Sequence, residues 1–274
     1  MSAALATPLQ LVPKQDHASK LAAIEERLTA RLTKFFATAA KAASLAVLKQ
    51  TTPATKIVRK ADNEPPDYEL LASSAFQAID WEPVVQEIED DIEEAVEEGG
   101  LSGLAYIEVS DEDLFAEVNT IARDFARKRA AELVGMKYTA DGELVANPDA
   151  QWAISETTRE DLRDLIEAAF EREAPIADLV DEIKASSIFS EARAEMIAAT
   201  EVQRAQILGS VEIWRESGIV ETVIWQVSSL GPCDECADNA DQEVDLGDAF
   251  PSGAQYPPAH PFCRCVLRPG KVNA

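Results

Sequence analysis

Five residues near the end of the chain have the types and spacing to bind a metal ion. All four cysteines lie within 33 residues, and one of only two histidines, His260, lies among them. Cys233 and Cys236 form a CxxC pair, His260 and Cys263 form an HxxC pair after 23 intervening residues, and Cys265 follows two residues later. Zinc takes four such ligands in tetrahedral geometry, so one of the five is in excess.

The chemistry indicated for this cluster is structural rather than catalytic. Four protein ligands close a tetrahedral zinc site and leave no position for a reactive water. Two disulfides would cross-link the same segment, and buried cysteines without a ligand are a third interpretation. We therefore predict structural zinc, with disulfides as the alternative.

A second group of polar residues lies in the middle of a predicted helix, where neither is needed as a cap. Thr200 and Glu201 are either a buried polar pair that satisfies a nearby loop or a functional carboxylate with its neighbour. The chain has no GxxxxGK[ST], HExxH or GxSxG motif, and among its two histidines only His260 is a realistic acid–base group. We therefore expect no enzymatic activity, and a nuclease-like or toxin-like hydrolase is kept as the alternative.

Charge is distributed unevenly along this chain of 274 residues and net charge −25. Residues 1–60 carry ten Lys or Arg against three acidic residues, and residues 61–120 carry 19 acidic residues and no basic one. The basic segment predicts contact with an acidic partner or weak, nonspecific contact with double-stranded DNA, and the acidic block predicts contact with a basic surface. Solvated, self-repelling faces are the alternative interpretation. The candidate binding residues of the basic segment are Lys34, Lys41, Arg59 and Lys60.

The elements that position these residues are mostly helical. Apolar periodicity predicts helices over 18–50, over 67–98 with a kink or break at Pro83 and an end at Gly99-Gly100, and over 111–134. Residues 136–150 read as a loop. Shorter helices follow, then a long one over 191–217 and a strand over 219–227 with Trp225 in the core.

The fold class predicted is mainly α with a small α+β C-terminal module: an elongated helical N-terminal body followed by a Cys/His-stapled domain. Three parts are expected, a basic arm and helix over 1–60, an acidic helical region over 61–150 and a C-terminal domain over 151–274. No run of 18 apolar residues and no signal peptide is present, so we expect no membrane partner and synthesis in the cytosol.

The stretch 190–270 resembles the C-terminal domain of the phage Mu F-like minor head proteins, also called phage head morphogenesis proteins. The resemblance rests on the order of the CxxC pair, the closing His-Pro-x-Cys-Arg-Cys and the residues of the helix and strand before them. These last residues are Arg193, Thr200, Glu201, Gly209 and Trp225. The first cysteine pair departs from the family pattern because its surroundings are more acidic and lack a Gly turn.

The resemblance implies a capsid-associated protein of few copies that acts next to the portal during head assembly and stays in the virion head. The partners implied are the portal protein and the major capsid or scaffold proteins, with nonspecific contact to double-stranded DNA. The host cytoplasm would be the site of assembly. A weak nonspecific DNA-binding module is kept as a further alternative.

Overall fold

The computed structural model describes residues 14–50, 68–107, 112–150, 153–172, 174–227 and 231–273. Two of the candidate binding residues, Arg59 and Lys60, lie outside these ranges. Within them the chain is mainly α-helical, with two small antiparallel sheets and a Cys/His cluster in the C-terminal region. The prediction of a mainly α chain with a small α+β C-terminal module and a Cys/His cluster is confirmed.

The helices and strands follow the chain in an order that ends with the small α+β module. The helices are α1 Lys14–Gln50, α2 Tyr68–Gln77, α3 Glu82–Ile107, α4 Glu112–Leu133, α5 Ile154–Glu171, α6 Ile176–Ala185, α7 Glu191–Ser217 and α8 Asp234–Asn239. The strands are β1 Met136–Tyr138, β2 Leu144–Ala146, β3 Thr222–Gln226, β4 Glu243–Asp245 and β5 Val266–Pro269.

These elements form two compact units, each assembled from separate parts of the chain. Unit 1 consists of Met1–Arg27, Glu89–Arg127 and Met196–Ala274, and unit 2 consists of Leu28–Ile88 and Lys128–Glu195. The division of the chain into 1–60, 61–150 and 151–274 stays a prediction.

Unit 2 is a helical assembly with one β-hairpin. Helix α2 packs on α5, and Tyr68 meets Phe170 with ring centroids 6.3 Å apart. The prediction of a loop over 136–150 is wrong, because β1 and β2 pair in antiparallel register around the Asp141-Gly142 turn. The strands are only three residues long, which is too short for an alternating pattern to identify them in the sequence.

Unit 1 contains the sheet β4-β3-β5, which is antiparallel throughout. Trp225 lies opposite Leu267 in the register of β3 and β5 and is fully buried, so its prediction as a core residue is confirmed. The same core cluster contains Trp214, Phe250 and three of the cysteines. The cysteine cluster is thus continuous with the apolar core of this unit.

The prediction that Gly99-Gly100 ends a helix is wrong, since α3 continues through both glycines to Ile107. The reason is tertiary packing against α7. A β-carbon on Gly99 would lie 2.1 Å from the carbonyl oxygen of Gln206. Ser210 donates its hydroxyl proton to the Gly99 carbonyl (2.8 Å), and the indole of Trp214 donates to Gly103 (3.1 Å). Glycine here permits two helix backbones to touch rather than ending one.

Candidate metal centre

The first cysteine pair lies at the start of the short helix α8. Cys233 is the N-cap of this helix, and its sulfur accepts the backbone N–H of Cys236 at 3.4 Å. Cys233 is exposed and Cys236 is buried. The CxxC spacing therefore places one thiol at the surface and the other one helical turn further on, inside the core.

The second group comes from the loop that leads into β5. The backbone N–H of Cys263 donates to the carbonyl of His260 at 3.1 Å, which closes a tight turn. Phe262 within this turn has φ of 59°, a left-handed conformation uncommon for a non-glycine residue. Cys263 and Cys265 are both buried.

The five candidate ligands form two overlapping groups that share Cys236. Cys233, Cys236 and His260 make one group, and Cys236, Cys263 and Cys265 make the other, with the ligand atoms of each group within 4.8 Å of one another. The sulfur of Cys236 lies 3.3 Å from Nε2 of His260 and 3.7 Å from the sulfur of Cys263. All four thiols are free in this structure.

These distances fit the edges of a tetrahedral zinc site. Zinc–sulfur and zinc–nitrogen bonds of about 2.3 and 2.05 Å place two sulfurs about 3.8 Å apart, and a sulfur and a nitrogen about 3.6 Å apart. The structure shows 3.7 and 3.3 Å for these pairs. The two edges that meet at the sulfur of Cys236 therefore fit such an ion. Among the described residues, ligand atoms come within 4.8 Å of one another in threes, so a fourth ligand has to move inward to complete the site.

The hydrogen bond made by the other ring nitrogen of His260 sets its tautomer. Nδ1 lies 2.8 Å from the carbonyl oxygen of Pro261, and a carbonyl oxygen can only accept a hydrogen bond. Nδ1 therefore carries the hydrogen, and the lone pair of Nε2 faces the sulfur of Cys236. Metal-binding histidines characteristically donate their second nitrogen in this way.

Burial sets the protonation state of the inner thiols. Burial, together with the hydrogen bond to Cys265 and the neighbouring charge of Cys263, raises the pKa of Cys236 well above that of a free cysteine. Burial likewise raises the pKa of Cys263. Without a cation these thiols are neutral at pH 7, and a bound divalent ion would take them as thiolates and release protons.

Helix α7 holds the second cysteine loop through two polar side chains. Thr200 donates to the carbonyl of Met196 (2.7 Å) and accepts the N–H of Phe262 (3.1 Å). Gln203, one turn further along, donates to the carbonyl of Cys265 at 3.0 Å. Thr200 thus satisfies a nearby loop, which is one of the two interpretations that its mid-helix position allowed.

The other member of the predicted polar pair, Glu201, is buried beside Arg204, with a carboxylate-to-guanidinium distance of 3.6 Å. Gln203 was not predicted from the sequence. The available signal was its spacing of three residues from Thr200, which puts both side chains on one helix face.

The N-terminal helix also reaches this loop. Arg264, between the last two cysteines, donates two parallel hydrogen bonds to the carboxylate of Glu25 on α1, at 2.7 and 2.8 Å. Bidentate pairs of this kind fix geometry as well as adding energy. Nothing in the local sequence indicates a partner 239 residues away.

Arg193, a residue of the family motif, lies in unit 2 and has a structural role there. Its guanidinium donates to the hydroxyls of Thr157 and Thr158 and to the carbonyls of Ile154 and Ile188, at 2.6 to 3.3 Å. It also lies over the ring of Phe36, 5.5 Å from the centroid. Burial lowers the pKa of Arg193.

Gly209, also a residue of the family motif, lies where α7 crosses α3. A β-carbon on Gly209 would lie 2.0 Å from the carbonyl oxygen of Val96.

Trp225 packs edge-on against Phe250 with ring centroids 5.1 Å apart. These residues build the core around the cysteine cluster.

The basic residues at the start of α1 are engaged within unit 1 by the acidic helix α3. Arg27 donates to the fully buried Asp91 at 2.6 Å and also pairs with Glu94. Lys20 and His17 contact the two carboxylate oxygens of Glu98 at 2.7 and 2.8 Å. Lys34 and Lys41, in unit 2, are both exposed.

The fold and site define a mainly helical protein with a Cys/His cluster in a small α+β module. Residues 160–268 match the family described as Phage Mu protein F like protein. The resemblance seen in the sequence is confirmed for this stretch, which includes all five candidate ligands and the five motif residues. A comparison with curated proteins gives no match, and neither does one with solved structures. None of the described helices is long and apolar enough to cross a membrane.

Proposed function

We propose that the protein is a bacteriophage minor head protein that acts in head morphogenesis beside the portal and remains in the virion head. One observation carries the proposal: the stretch that matches the Phage Mu protein F like family, 160–268, contains all the residues that form the Cys/His cluster. The family match and the built site thus coincide in the same part of the chain.

We infer that the ion held by this cluster is zinc. A set of thiolates with one imidazole is the donor set that favours zinc over the oxygen-preferring cations. Cys236, which belongs to both ligand groups, would hold it together with three of Cys233, His260, Cys263 and Cys265. The ion would cross-link α8 to the loop before β5. Without it, the thiols at this place are neutral and close together.

A binding role, without catalysis, is favoured by the way the candidate catalytic groups are engaged. Glu201 is buried against Arg204, and His260 donates through Nδ1 to Pro261 while its Nε2 faces Cys236. Both groups serve the module's own structure. The portal, and major capsid or scaffold proteins, are the partners that we propose.

The charge pairing in unit 1 bears on the proposed contact with DNA. Because Lys20 and Arg27 bind carboxylates of α3, fewer cations of the basic segment remain for phosphates. We propose that any contact with double-stranded DNA is weak and nonspecific and depends on Lys34, Lys41, Arg59 and Lys60. Such binding would weaken steeply with salt.

Co-expression with the portal protein of the same phage tests the proposal. We expect the full chain to co-elute with portal rings on size exclusion at physiological salt, and native mass spectrometry would give the copy number. The major tail protein of that phage, expressed in the same way, is the control. Absence of any complex with the portal, together with normal heads from phage that lack this gene, would overturn the proposal.

A further inference from the structure

Unit 2 contains a cavity of about 280 Å³ between α1 and the connection from α2 to α3. Its floor is apolar and includes Phe35, Ala39, Ala42, Ile79 and Val84. A volume near 300 Å³ is at the lower end for ligand pockets and is enough for one or two large apolar side chains.

The two walls of the cavity carry opposite charge. Arg31 and Lys34 line the side formed by α1, and Asp80 and Glu87 line the other side. Arg31 already donates to the backbone carbonyl of Glu87 at 2.7 Å. One wall therefore attracts carboxylates and the other attracts cations.

An exposed stripe on α1 extends the groove beyond the cavity. It consists of Lys34, Thr38, Lys41, Leu45 and Leu48, which follow one another at alternating steps of four and three residues. Leu45 and Leu48 are 46% and 45% exposed, which is unusual for leucines on a helix whose opposite face is fully buried. From Lys34 to Leu48 the stripe is about 20 Å long, at 1.5 Å per residue.

The two lysines of this stripe are available for a partner. Within the described ranges, neither Lys34 nor Lys41 takes part in an ion pair. The steps of four and three residues are those by which one helix packs along another, so a helix that lies on this stripe meets both the lysines and the leucines.

We propose that this groove binds an amphipathic helix of a partner protein. The apolar face of that helix fills the cavity and covers Leu45 and Leu48. Its carboxylates lie along Lys34 and Lys41, and its cations lie along Asp80 and Glu87. The partner is defined by this pattern of charge and apolar surface, and the proposal goes beyond the role in head assembly.

The charges favour this occupant over a second copy of the chain and over DNA. If two copies of the chain paired through α1 in parallel, each lysine would face the same lysine of the other copy. In antiparallel pairing centred on Lys41, Lys34 of one copy would face Leu48 of the other. Like charges and unpaired cations on leucine both disfavour self-pairing. DNA would meet the acidic wall at Asp80 and Glu87, and it has no apolar surface to cover the leucines.

Binding of three synthetic helices to the full chain tests the proposal. Each is a capped 21-residue peptide with the same leucine face. In the mixed peptide this face is flanked by Glu on one side and Lys on the other. The second peptide has Lys on both sides, and the third has Glu on both sides. We expect the mixed peptide to bind at least about tenfold more tightly than either of the others, since about 1.4 kcal/mol separates each factor of ten.

Reversing the charge of the two lysines in the groove should change which peptide binds most tightly. The double variant Lys34→Glu/Lys41→Glu should prefer the peptide with Lys on both sides and lose at least about tenfold in affinity for the mixed one. The matched control is Lys137→Glu/Lys184→Glu, which makes the same charge change at exposed positions of unit 2 outside the groove. It should bind like the unaltered chain.

The same proteins distinguish the other occupants. No binding of the mixed peptide, or equal binding of all three peptides, would overturn the proposal. So would binding of a 30-base-pair duplex that is lost in the Lys34→Glu/Lys41→Glu variant while the mixed peptide does not bind. A concentration-dependent dimer that the same variant abolishes would assign the groove to a second copy and overturn it as well.

Discussion

Gly209 of α7 lies against the backbone of Val96 in α3 so closely that a β-carbon on the glycine would be 2.0 Å from the Val96 carbonyl oxygen and 2.7 Å from the N–H nitrogen of Gly100. Both neighbours are backbone atoms of a continuous helix, so neither can move aside alone. The close crossing of these helices therefore requires that residue 209 carry no side chain.

Alanine substitutions at the glycines of this crossing should have graded effects on stability. A β-carbon would meet backbone at 2.0 Å on Gly209 and at 2.1 Å on Gly99, but a side-chain methyl at 3.2 Å on Gly100. We expect Gly209→Ala and Gly99→Ala to lose more than about 3 kcal/mol of unfolding free energy by overpacking. Gly100→Ala should stay within about 1 kcal/mol, because alanine's helix propensity offsets the tighter contact.

Urea unfolding followed by circular dichroism measures this series. Glu216→Ala, at an exposed position of the same α7, is the control for substitution by alanine in the helix. Equal stability of Gly209→Ala and Gly100→Ala would show that the two helices do not pack as described.

Zinc content is the second prediction. Protein purified with reductant should contain about one zinc per chain, and a chelator should lower its melting temperature, because ligand binding adds directly to folding stability. Cys236→Ser should lose the metal, since both ligand groups share Cys236. Among single substitutions of the other four ligands, only the one that removes the spare fifth donor should keep it.

The exposed Asp248→Asn, in the same module, should retain zinc and serves as the control. Metal analysis that finds no zinc, with a melting temperature that falls only when reductant is added, would assign the cluster to disulfides instead.

Thr200→Val should weaken the cysteine loop without touching a ligand. The substitution leaves the N–H of Phe262 without its acceptor, which costs about 1–3 kcal/mol. Thr120→Val is the matched control, since Thr120 makes the same hydroxyl bond to the carbonyl four residues before it but is exposed. We expect a lower melting temperature and weaker zinc retention against chelator for Thr200→Val, and neither for Thr120→Val.

Arg193→Lys should destabilise unit 2. Lysine has no planar fork to reach the two threonine hydroxyls and two carbonyls that Arg193 binds. A loss of roughly 3 kcal/mol is expected, as when other buried charged networks are broken. Arg215→Lys, which changes an exposed arginine paired with Glu212, should change thermal stability little. Equal melting temperatures for the two variants would contradict a structural role for Arg193.

The raised pKa of Glu97 predicts how folding stability changes with pH. Burial, and then the charge of Glu93 one turn away, raises the pKa of Glu97 in the folded chain. The folded state therefore holds this proton more tightly, and the stability that Glu97 contributes is present at low pH and lost as pH rises through the raised pKa.

Glu97→Gln should consequently stabilise the protein at pH 7, by the few tenths of a kcal/mol typical of a like-charge pair four residues apart. The difference should vanish below about pH 4, where the carboxyl is protonated in both states. Unfolding curves at pH 4, 5.5 and 7 measure it, with the exposed Glu216→Gln as control. A destabilised Glu97→Gln at pH 7 would contradict the sign.

Local sequence signals predicted most of the helices but not the contacts between helices. The period of apolar residues predicted α1, and Pro83 marked the break between α2 and α3. The glycine pair at 99–100 was misread because local propensity favours a helix end there. Packing against Gln206 overrides that propensity, and nothing within the segment itself reports it.

The site divided in the same way. Residue type and spacing were enough to name the five candidate ligands, because CxxC and HxxC pairs are local patterns. Of the residues that support the loop, Glu25 comes from a distant segment and has no local signature, and Gln203 is indicated only by its spacing of three residues from Thr200. The basic and acidic segments were each interpreted as facing a partner, whereas Arg27 and Asp91 show that they partly face each other.

The pair Glu25–Arg264 has a consequence for the order in which the chain is made. Glu25 and Arg264 belong to different segments of unit 1, and both parts of unit 2, Leu28–Ile88 and Lys128–Glu195, lie between these two residues in sequence. Because domains fold as units while their residues leave the ribosome, unit 2 can be complete before Glu25 has met Arg264. The bidentate pair that anchors the cysteine loop to α1 therefore forms only after unit 2 has had time to fold.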